Sequence, residues 1–150
     1  MLKYVGITLL VGVAILAFGV ISNRYPISPI YMVFGYSMYP TLLELDLVLT
    51  IPKPFLTPES IGVGDIVVFR LPYTNTKVIH RVVALCGAGC YITKGDNNPA
   101  PDPIAVHFDN VLGKVLTVYG NPVRINTVVF VVILIATDLI RRGASLRFGK

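Results

Sequence analysis

Ser37 is a residue whose hydroxyl could carry out covalent chemistry. It lies in the sequence GYSMYP at 35–40, which follows a long apolar segment. Serine is a poor nucleophile unless a base takes its proton during attack. The chain has two histidines, His80 in a run rich in β-branched residues and His107 in AVHFD, so few candidates exist for that base. The residue types therefore permit acyl transfer by a serine and a histidine.

Two aspartates are candidates for the acid that would orient such a base. Asp96 and Asp102 lie six positions apart in a loop rich in proline and asparagine, where side chains can converge on a site. The loop also has a purely structural explanation, since Asp and Asn in GDNN favour turns by bonding to their own backbone. Ser37 and His80 are likewise of types that often have capping or packing roles, so the residues alone leave both interpretations open.

The first apolar segment, residues 4–22, has about nineteen residues without a charge, which matches the thickness of a bilayer at about 1.5 Å per residue. A cleavable signal peptide is the alternative. The sequence NRYP at 23–26 offers no small-x-small cleavage site, which favours a retained anchor. We therefore predict an N-terminal transmembrane anchor over residues 1–24.

A second apolar segment, 125–140, extends to 123–142 if flanking residues are included, and we predict a C-terminal transmembrane helix there. A buried strand or a core helix is the alternative. The basic tail at 143–150, with the two arginines before it, places the C-terminus in the cytoplasm by the positive-inside rule. Two spans then put both termini in the cytoplasm and a domain of residues 25–122 outside it.

The composition supports a membrane protein and argues against nucleic-acid binding. Hydrophobic residues make up 54% of the chain and the mean hydropathy is +0.71, which is too apolar for an ordinary soluble domain. The net charge is +5, but residues 24–124 hold eight Lys/Arg against seven Asp/Glu, so the excess lies beside the apolar segments. Charge placed there sets membrane topology, and we predict a lipid bilayer as a partner and no nucleic acid.

The region between the apolar segments predicts a compact, antiparallel, mainly β domain. Short runs rich in β-branched residues are punctuated by proline, glycine and asparagine; these runs are 48–51, 65–70, 77–84 and 114–119. Cys86 and Cys90 flank a short Gly-Ala-Gly turn, where a disulfide and two free thiols are both open. Their spacing lacks a second ligand pair, so we expect no metal site, and no cofactor is predicted.

Four motifs in order resemble the conserved boxes of type I signal peptidases. They are SMYP at 37–40, GDIVVF at 64–69, IHRVV at 79–83 and TKGDNN at 93–98. Each motif is weak alone, but the four together after an apolar segment are specific, and the resemblance covers about residues 1–105. Bacterial members of that family carry lysine where this chain has His80, so the histidine is similar to the archaeal and endoplasmic-reticulum branch.

The resemblance implies Ser37 as nucleophile, His80 as general base and an aspartate as the third member. In that branch both the GDNN aspartate and one six residues later are functionally important. These correspond to Asp96 and Asp102, and we expect Asp102 to orient His80 while Asp96 supports the site. His107 and Asp109 fall outside the matched motifs and are second-choice candidates.

The function implied is a membrane-bound serine endopeptidase that removes signal peptides from secreted preproteins after small residues. Expected partners are signal peptides and the protein-translocation machinery. Val33, Phe34 and Met38 are candidates for substrate pockets, although core or lipid contacts would explain them equally well. The Ser37 backbone N–H is the expected oxyanion donor. Alternatives are a related membrane peptidase for other secreted precursors and a membrane-anchored β-domain that acts as a structural or interaction subunit without activity.

Overall fold

The structure is a computed structural model that describes residues 2–22, 24 and 28–148. An antiparallel β-domain lies between two helices, α1 (Leu2–Ser22) and α2 (Thr127–Phe148). Its strands are β1 (Ile30–Met32), β2 (Asp46–Pro52), β3 (Ile66–Arg70), β4 (Lys77–Gly87), β5 (Cys90–Lys94), β6 (Val106–His107), β7 (Val111–Val115), β8 (Thr117–Val118), β9 (Asn121–Pro122) and β10 (Arg124–Asn126). The prediction of a mainly β, antiparallel domain is confirmed.

The main sheet has the strand order β1-β2-β7-β3-β4-β5-β6, and β10 also pairs with β2. Every pair of neighbours in it is antiparallel, while β8 and β9 form a separate two-stranded ribbon. Three short 3₁₀ helices, Lys53–Phe55, Pro58–Ser60 and Phe108–Asn110, lie in the connections of the described chain. The central strands β3 and β4 therefore have partners on both sides and form the rigid part of the sheet.

Strand β3 separates two hydrophobic cores because successive side chains of a strand point to opposite faces. Ile66 and Val68 belong to one buried cluster, which also contains Met38 from the segment after β1. Val67 and Phe69 belong to the other. A strand buried on both faces reads as a continuous apolar run, which explains the sequence IVVF. The first core reaches the turn that carries Ser37, so packing on β3 supports that turn.

The two cysteines form a disulfide at the tip of the β4–β5 hairpin. Cys86 and Cys90 are linked, with their Cα atoms 5.0 Å apart. Gly87 and Gly89 in the intervening turn have φ angles of +139° and +67°, which residues with a Cβ rarely adopt. Of the two possibilities left open by the sequence, the structure contains the disulfide.

Helices α1 and α2 pack against one another. A Cβ on Gly12 would come within 3.3 Å of Val131, so a glycine at this position permits the close approach. In the described part of the chain, neither helix combines the length and hydropathy required to cross a membrane. The two predicted transmembrane spans are therefore not confirmed. The predicted basic tail, 143–150, extends past the last described residue, and its side chains lie outside the described residues.

A buried carboxylate connects the start of α2 to the sheet. Asp46 is fully buried, accepts hydrogen bonds from the Leu43 N–H and the Asn126 side chain at 2.8 and 2.7 Å, and pairs with Arg124. Asn126 in turn accepts a hydrogen bond at 2.9 Å from the N–H of Val129 in the first turn of α2. A charge without water requires such partners, so Asp46 holds three chain segments together.

Replacement of Asp46 by alanine should destabilise the domain strongly, because Arg124 and two neutral donors would lose their acceptor. Loss of one partner of a buried pair typically costs about 3–5 kcal/mol. Thermal unfolding followed by circular dichroism should show a clearly lower midpoint for Asp46→Ala. Asp109→Ala removes a carboxylate whose side chain is fully exposed, 4.0 Å from Lys53, and serves as the matched control with an unchanged midpoint. Equal midpoints for both variants would contradict this role of Asp46.

Candidate active site

Ser37 lies in a tight turn that follows β1. The Tyr39 N–H donates to the Tyr36 carbonyl at 3.1 Å, and the Leu42 N–H donates to the Met38 carbonyl at 2.9 Å. Gly35 enters this turn with a φ of +84°, in the left-handed region that favours glycine. Because Met38 is packed in the core behind it, the turn presents the Ser37 hydroxyl at a defined position.

His80 is held on β4, opposite Val67 of the central strand β3. The residue is only 7% exposed, and its ring packs edge-on against Phe69 with 6.2 Å between ring centroids. Its Nε2 atom lies 3.1 Å from the Ser37 Oγ atom. The sheet therefore brings together two residues that are 43 positions apart in sequence.

Asp102 contacts the other side of the imidazole. Its Oδ2 atom lies 2.6 Å from the His80 Nδ1 atom, and its backbone N–H donates to the Thr93 carbonyl at 2.7 Å. An ionised carboxylate only accepts hydrogen bonds, so Nδ1 carries the proton and Nε2 is left to accept from the Ser37 hydroxyl. The hydrogen bonds run from Ser37 to His80 to Asp102.

Asp96 has a different environment. Arg81 donates to both of its carboxylate oxygens, Nε to Oδ1 at 2.8 Å and Nη2 to Oδ2 at 2.7 Å, and the Thr41 hydroxyl donates to Oδ2 at 2.5 Å. The third guanidinium nitrogen, Nη1, reaches the Gly64 carbonyl at 2.8 Å. Two-point pairing of this kind fixes orientation as well as charge. Of the two candidate aspartates, Asp102 thus touches His80, and Asp96 joins β4 to the segment after Ser37.

The pKa of the Asp96 carboxyl is lowered by this environment. Burial by itself raises the pKa, but the hydrogen bonds from Arg81 and Thr41 and the charge of Arg81 outweigh it. Arg81 responds in the opposite direction, since its hydrogen bond to Asp96 raises the pKa of the guanidinium. Both shifts favour the charged forms, so the pair is ionised at neutral pH.

The loop that contains Asp96 packs directly on the Ser37 turn. The Asn97 N–H donates to the Ser37 carbonyl at 2.8 Å, and the Asn97 side-chain amide donates to the Tyr36 carbonyl at 3.1 Å. A Cβ on Gly95 would lie 2.6 Å from the Ser37 carbonyl oxygen, closer than real contacts allow. The GDNN sequence therefore does more than form a turn, because it fixes the backbone that carries Ser37.

A cavity of about 320 Å³ lies beside the Ser37 and His80 side chains. Val33, Phe34 and Met38, the predicted substrate contacts, are all among the residues that line it. Val33 and Met38 are buried in the first core, whereas Phe34 is 58% exposed. The sequence left core and pocket roles open for these residues. Val33 and Met38 belong to the first core and also line the cavity.

The second-choice residues lie elsewhere. His107 is on β6 opposite Cys90 with its side chain exposed, and Asp109 lies near Lys53. The hydrogen-bonded partner of Ser37 is His80. Within the described residues, no group of three or more His, Cys, Asp or Glu side chains is placed to hold a metal ion.

Three contributors to the site were not identified from the sequence. Arg81 and Thr93 lie inside the motifs IHRVV and TKGDNN, but these motifs do not indicate what either residue contacts. Thr41 directly follows the SMYP motif. Their position within or next to the motifs was the available signal, but polar residue types alone do not reveal which carboxylate each would contact.

A serine hydroxyl, an imidazole and a carboxylate in this order form the arrangement of a serine hydrolase with a Ser-His-Asp triad. Residues 3–96 match the model of the family described as signal peptidase, peptidase S26. The chain belongs to this family.

Individual relatives carry the name "Signal peptidase complex catalytic subunit SEC11" or "sec11". The protein from Sclerotinia sclerotiorum is 38% identical over 78 residues, with 50% of this chain and 44% of the relative covered. The one from Colletotrichum graminicola is 37% identical with the same coverage, and the one from Schizosaccharomyces pombe is 34% identical over 92 residues, 49% of its length. The chain spans about half the length of these curated relatives.

The stability that Asp96 provides should depend on pH. The folded-state pKa is depressed, so the contribution is complete above the unfolded value of 3.8 and is lost as pH falls through the folded value. Asp96→Asn should therefore unfold at a lower temperature than the wild type at neutral pH. The difference between the two unfolding midpoints should become smaller below about pH 4. Thermal unfolding of both proteins across this range measures it. A gap that is constant with pH would contradict the ion pair as its origin.

Proposed function

We propose that this protein is a serine endopeptidase that removes N-terminal signal peptides from secreted preproteins, with Ser37 as nucleophile, His80 as general base and Asp102 as orienting acid. The observation that carries the proposal is the hydrogen-bonded series from Ser37 Oγ through both His80 nitrogens to Asp102, at 3.1 and 2.6 Å. Membership of the peptidase S26 family supports the same assignment. The histidine base corresponds to the archaeal and endoplasmic-reticulum branch of that family.

The reaction follows from the tautomer of His80. Its unprotonated Nε2 accepts the hydroxyl proton while Ser37 Oγ attacks the scissile carbonyl carbon, and a tetrahedral oxyanion forms. The imidazolium then gives this proton to the leaving amine as the peptide bond breaks. Water, deprotonated by His80, releases the acyl group from Ser37 in the second half of the reaction. Asp102 keeps Nδ1 protonated and stabilises the positive imidazolium throughout.

The Ser37 backbone N–H is the proposed donor to the oxyanion. It lies next to the reacting oxygen, in a turn whose backbone is held by Asn97 and by the buried Met38. A donor already in position strengthens its hydrogen bond as charge develops on the oxygen and requires no reorganisation at that moment.

The substrate would lie as an extended strand along the cavity beside Ser37. In the described part of the chain, β1 ends the order of the main sheet and its last residues border the cavity, so a bound peptide would lie beside this strand. Val33, Phe34 and Met38 would then line pockets for alternate substrate side chains. Cleavage after small residues, which the family resemblance implies, is part of the proposal.

Membrane attachment through residues 1–24 and 123–142 is part of the proposal. Large apolar side chains are solvent-exposed along both helices, including Leu10 and Val13 on α1 and Val132 and Ile140 on α2. Apolar surface of this extent usually marks an interaction site, and lipid is the occupant consistent with two such helices side by side. Both termini would be cytoplasmic, and residues 25–122 extracytoplasmic.

The proposed extracytoplasmic location agrees with the disulfide between Cys86 and Cys90, since such bonds persist in oxidising compartments. The relatives are named as catalytic subunits of a signal peptidase complex. By extension, signal peptides are the proposed substrates, and the protein-translocation machinery is a proposed partner.

Loss of the nucleophile or of the base should abolish cleavage of a preprotein in liposomes. Ser37→Ala and His80→Ala should each lower kcat by a factor of about 10⁴ or more, and the double variant should lose little beyond that because the residues act as a unit. Electrophoresis of the substrate measures the rate. Ser60→Ala and His107→Ala change the same residue types at exposed positions and should retain wild-type rates. Cleavage by Ser37→Ala at the wild-type rate would sink the proposed mechanism.

The two aspartates should separate kinetically. Asp102→Asn can no longer hold Nδ1 protonated, because an amide can present its NH₂ group instead, so kcat should fall by about 10³–10⁴. Asp96→Asn, which leaves the His80 contacts intact, should retain much more activity and lose mainly thermal stability. Rates measured well below each unfolding midpoint test this. A larger loss of kcat in Asp96→Asn than in Asp102→Asn would reverse the assignment.

A further inference from the structure

The carboxylate of Asp102 has a second close partner besides His80. The Thr93 hydroxyl donates to Asp102 Oδ2 at 2.6 Å, and the same oxygen lies 2.6 Å from His80 Nδ1. Thr93 also accepts the Asp102 backbone N–H at 2.7 Å through its carbonyl. One residue of β5 therefore binds both the main chain and the side chain of Asp102.

Thr93 lies in a buried and strand-paired part of the sheet. It is fully buried, and its backbone is paired with Val82 on β4, two positions from His80. The Asp102 side chain, in contrast, lies in a loop and keeps 18% of its surface exposed. Packing alone does not lock this carboxylate, so its direction depends on its hydrogen-bond donors. His80 Nδ1 and the Thr93 hydroxyl are the two side-chain donors that the structure places on Asp102 Oδ2.

We propose that Thr93 is a positioning residue of the active site, which aims Asp102 Oδ2 at His80 Nδ1 and thereby maintains the tautomer that activates Ser37. The inference rests on the proposed function for its effect on rate. The two short hydrogen bonds to one oxygen place the carboxylate in the orientation that the imidazole requires. Asp102 orients His80, and Thr93 orients Asp102 from a rigid strand.

The alternative is a buried threonine that contributes only to stability. Thr93→Val retains the shape of the side chain and removes the donor, whereas Thr93→Ser retains the hydroxyl and removes a methyl group. A purely structural role predicts that rate follows packing, with Thr93→Ser affected as much as Thr93→Val. A positioning role predicts that rate follows the hydroxyl.

The kinetic test is preprotein cleavage by the full chain in liposomes. Thr93→Val should lower kcat by about 10- to 100-fold, the range expected when a reacting group is misplaced by up to about 1 Å. KM should stay within about twofold of the wild type. Thr93→Ser should recover kcat to within about threefold of the wild type. Thr50→Val removes another buried threonine hydroxyl, bonded to the Ser28 carbonyl at 3.0 Å, and should leave kcat unchanged. A wild-type kcat in Thr93→Val, or equal losses in both Thr93 variants, overturns the inference.

A spectroscopic measurement tests the same inference without any cleavage. A proton in a short hydrogen bond to a carboxylate gives a low-field proton NMR signal, which His80→Ala identifies for Nδ1 by its loss. The signal should be present in wild type, Thr93→Ser and Thr50→Val, and broadened or lost in Thr93→Val. An unchanged signal in Thr93→Val overturns the positioning role. Absence of Ser37-dependent cleavage overturns the proposed function instead, and the NMR signal still decides the role of Thr93.

Discussion

The contact on which the site depends is the attachment of the 93–102 segment to the turn that carries Ser37. Two-point pairing of Asp96 with Arg81 attaches the segment to β4, and the Asn97 contacts attach it to the Ser37 turn. A serine and a histidine on separate flexible loops would lose the orientation that catalysis needs, since small displacements cost large factors in rate. In this protein, the Asp96 carboxylate accepts hydrogen bonds both from Arg81 on β4 and from Thr41, which follows the Ser37 turn.

Two aspartates six residues apart contact different partners, and the proposed mechanism gives them separate roles. Asp96 is paired with Arg81, a permanent cation that lowers the pKa of the carboxyl and holds it in place. Asp102 faces an imidazole, whose charge changes during the proposed reaction, and a neutral threonine hydroxyl. The charge of Asp96 is already balanced by Arg81. The charge of Asp102 is not paired with a permanent cation in its described contacts, so in the proposed mechanism it can stabilise the positive charge that develops on His80.

The sheet explains why the nearby residues can be held rigidly. β3 is buried on both faces, and β4 lies directly beside it, so His80 is placed on the least mobile part of the domain. Met38 in the first core extends that support to the residue after Ser37. In the proposed mechanism, a nucleophile and a base that both rest on packed elements satisfy the requirement for preorganised geometry.

The sequence alone indicated the antiparallel β character, through short β-branched runs separated by turn residues, and it indicated Ser37 and His80 as the candidate nucleophile and base through the resemblance of its four motifs to a known family. It did not indicate that Asp96 pairs with Arg81 and Thr41, nor that the Thr93 hydroxyl contacts Asp102, since both carboxylates lie in one loop and local sequence does not encode which donors approach it. Only the tertiary structure decided those contacts. Strand register and loop packing bring donors from β4, β5 and the Ser37 segment to particular oxygen atoms, and that register depends on burial across the whole sheet.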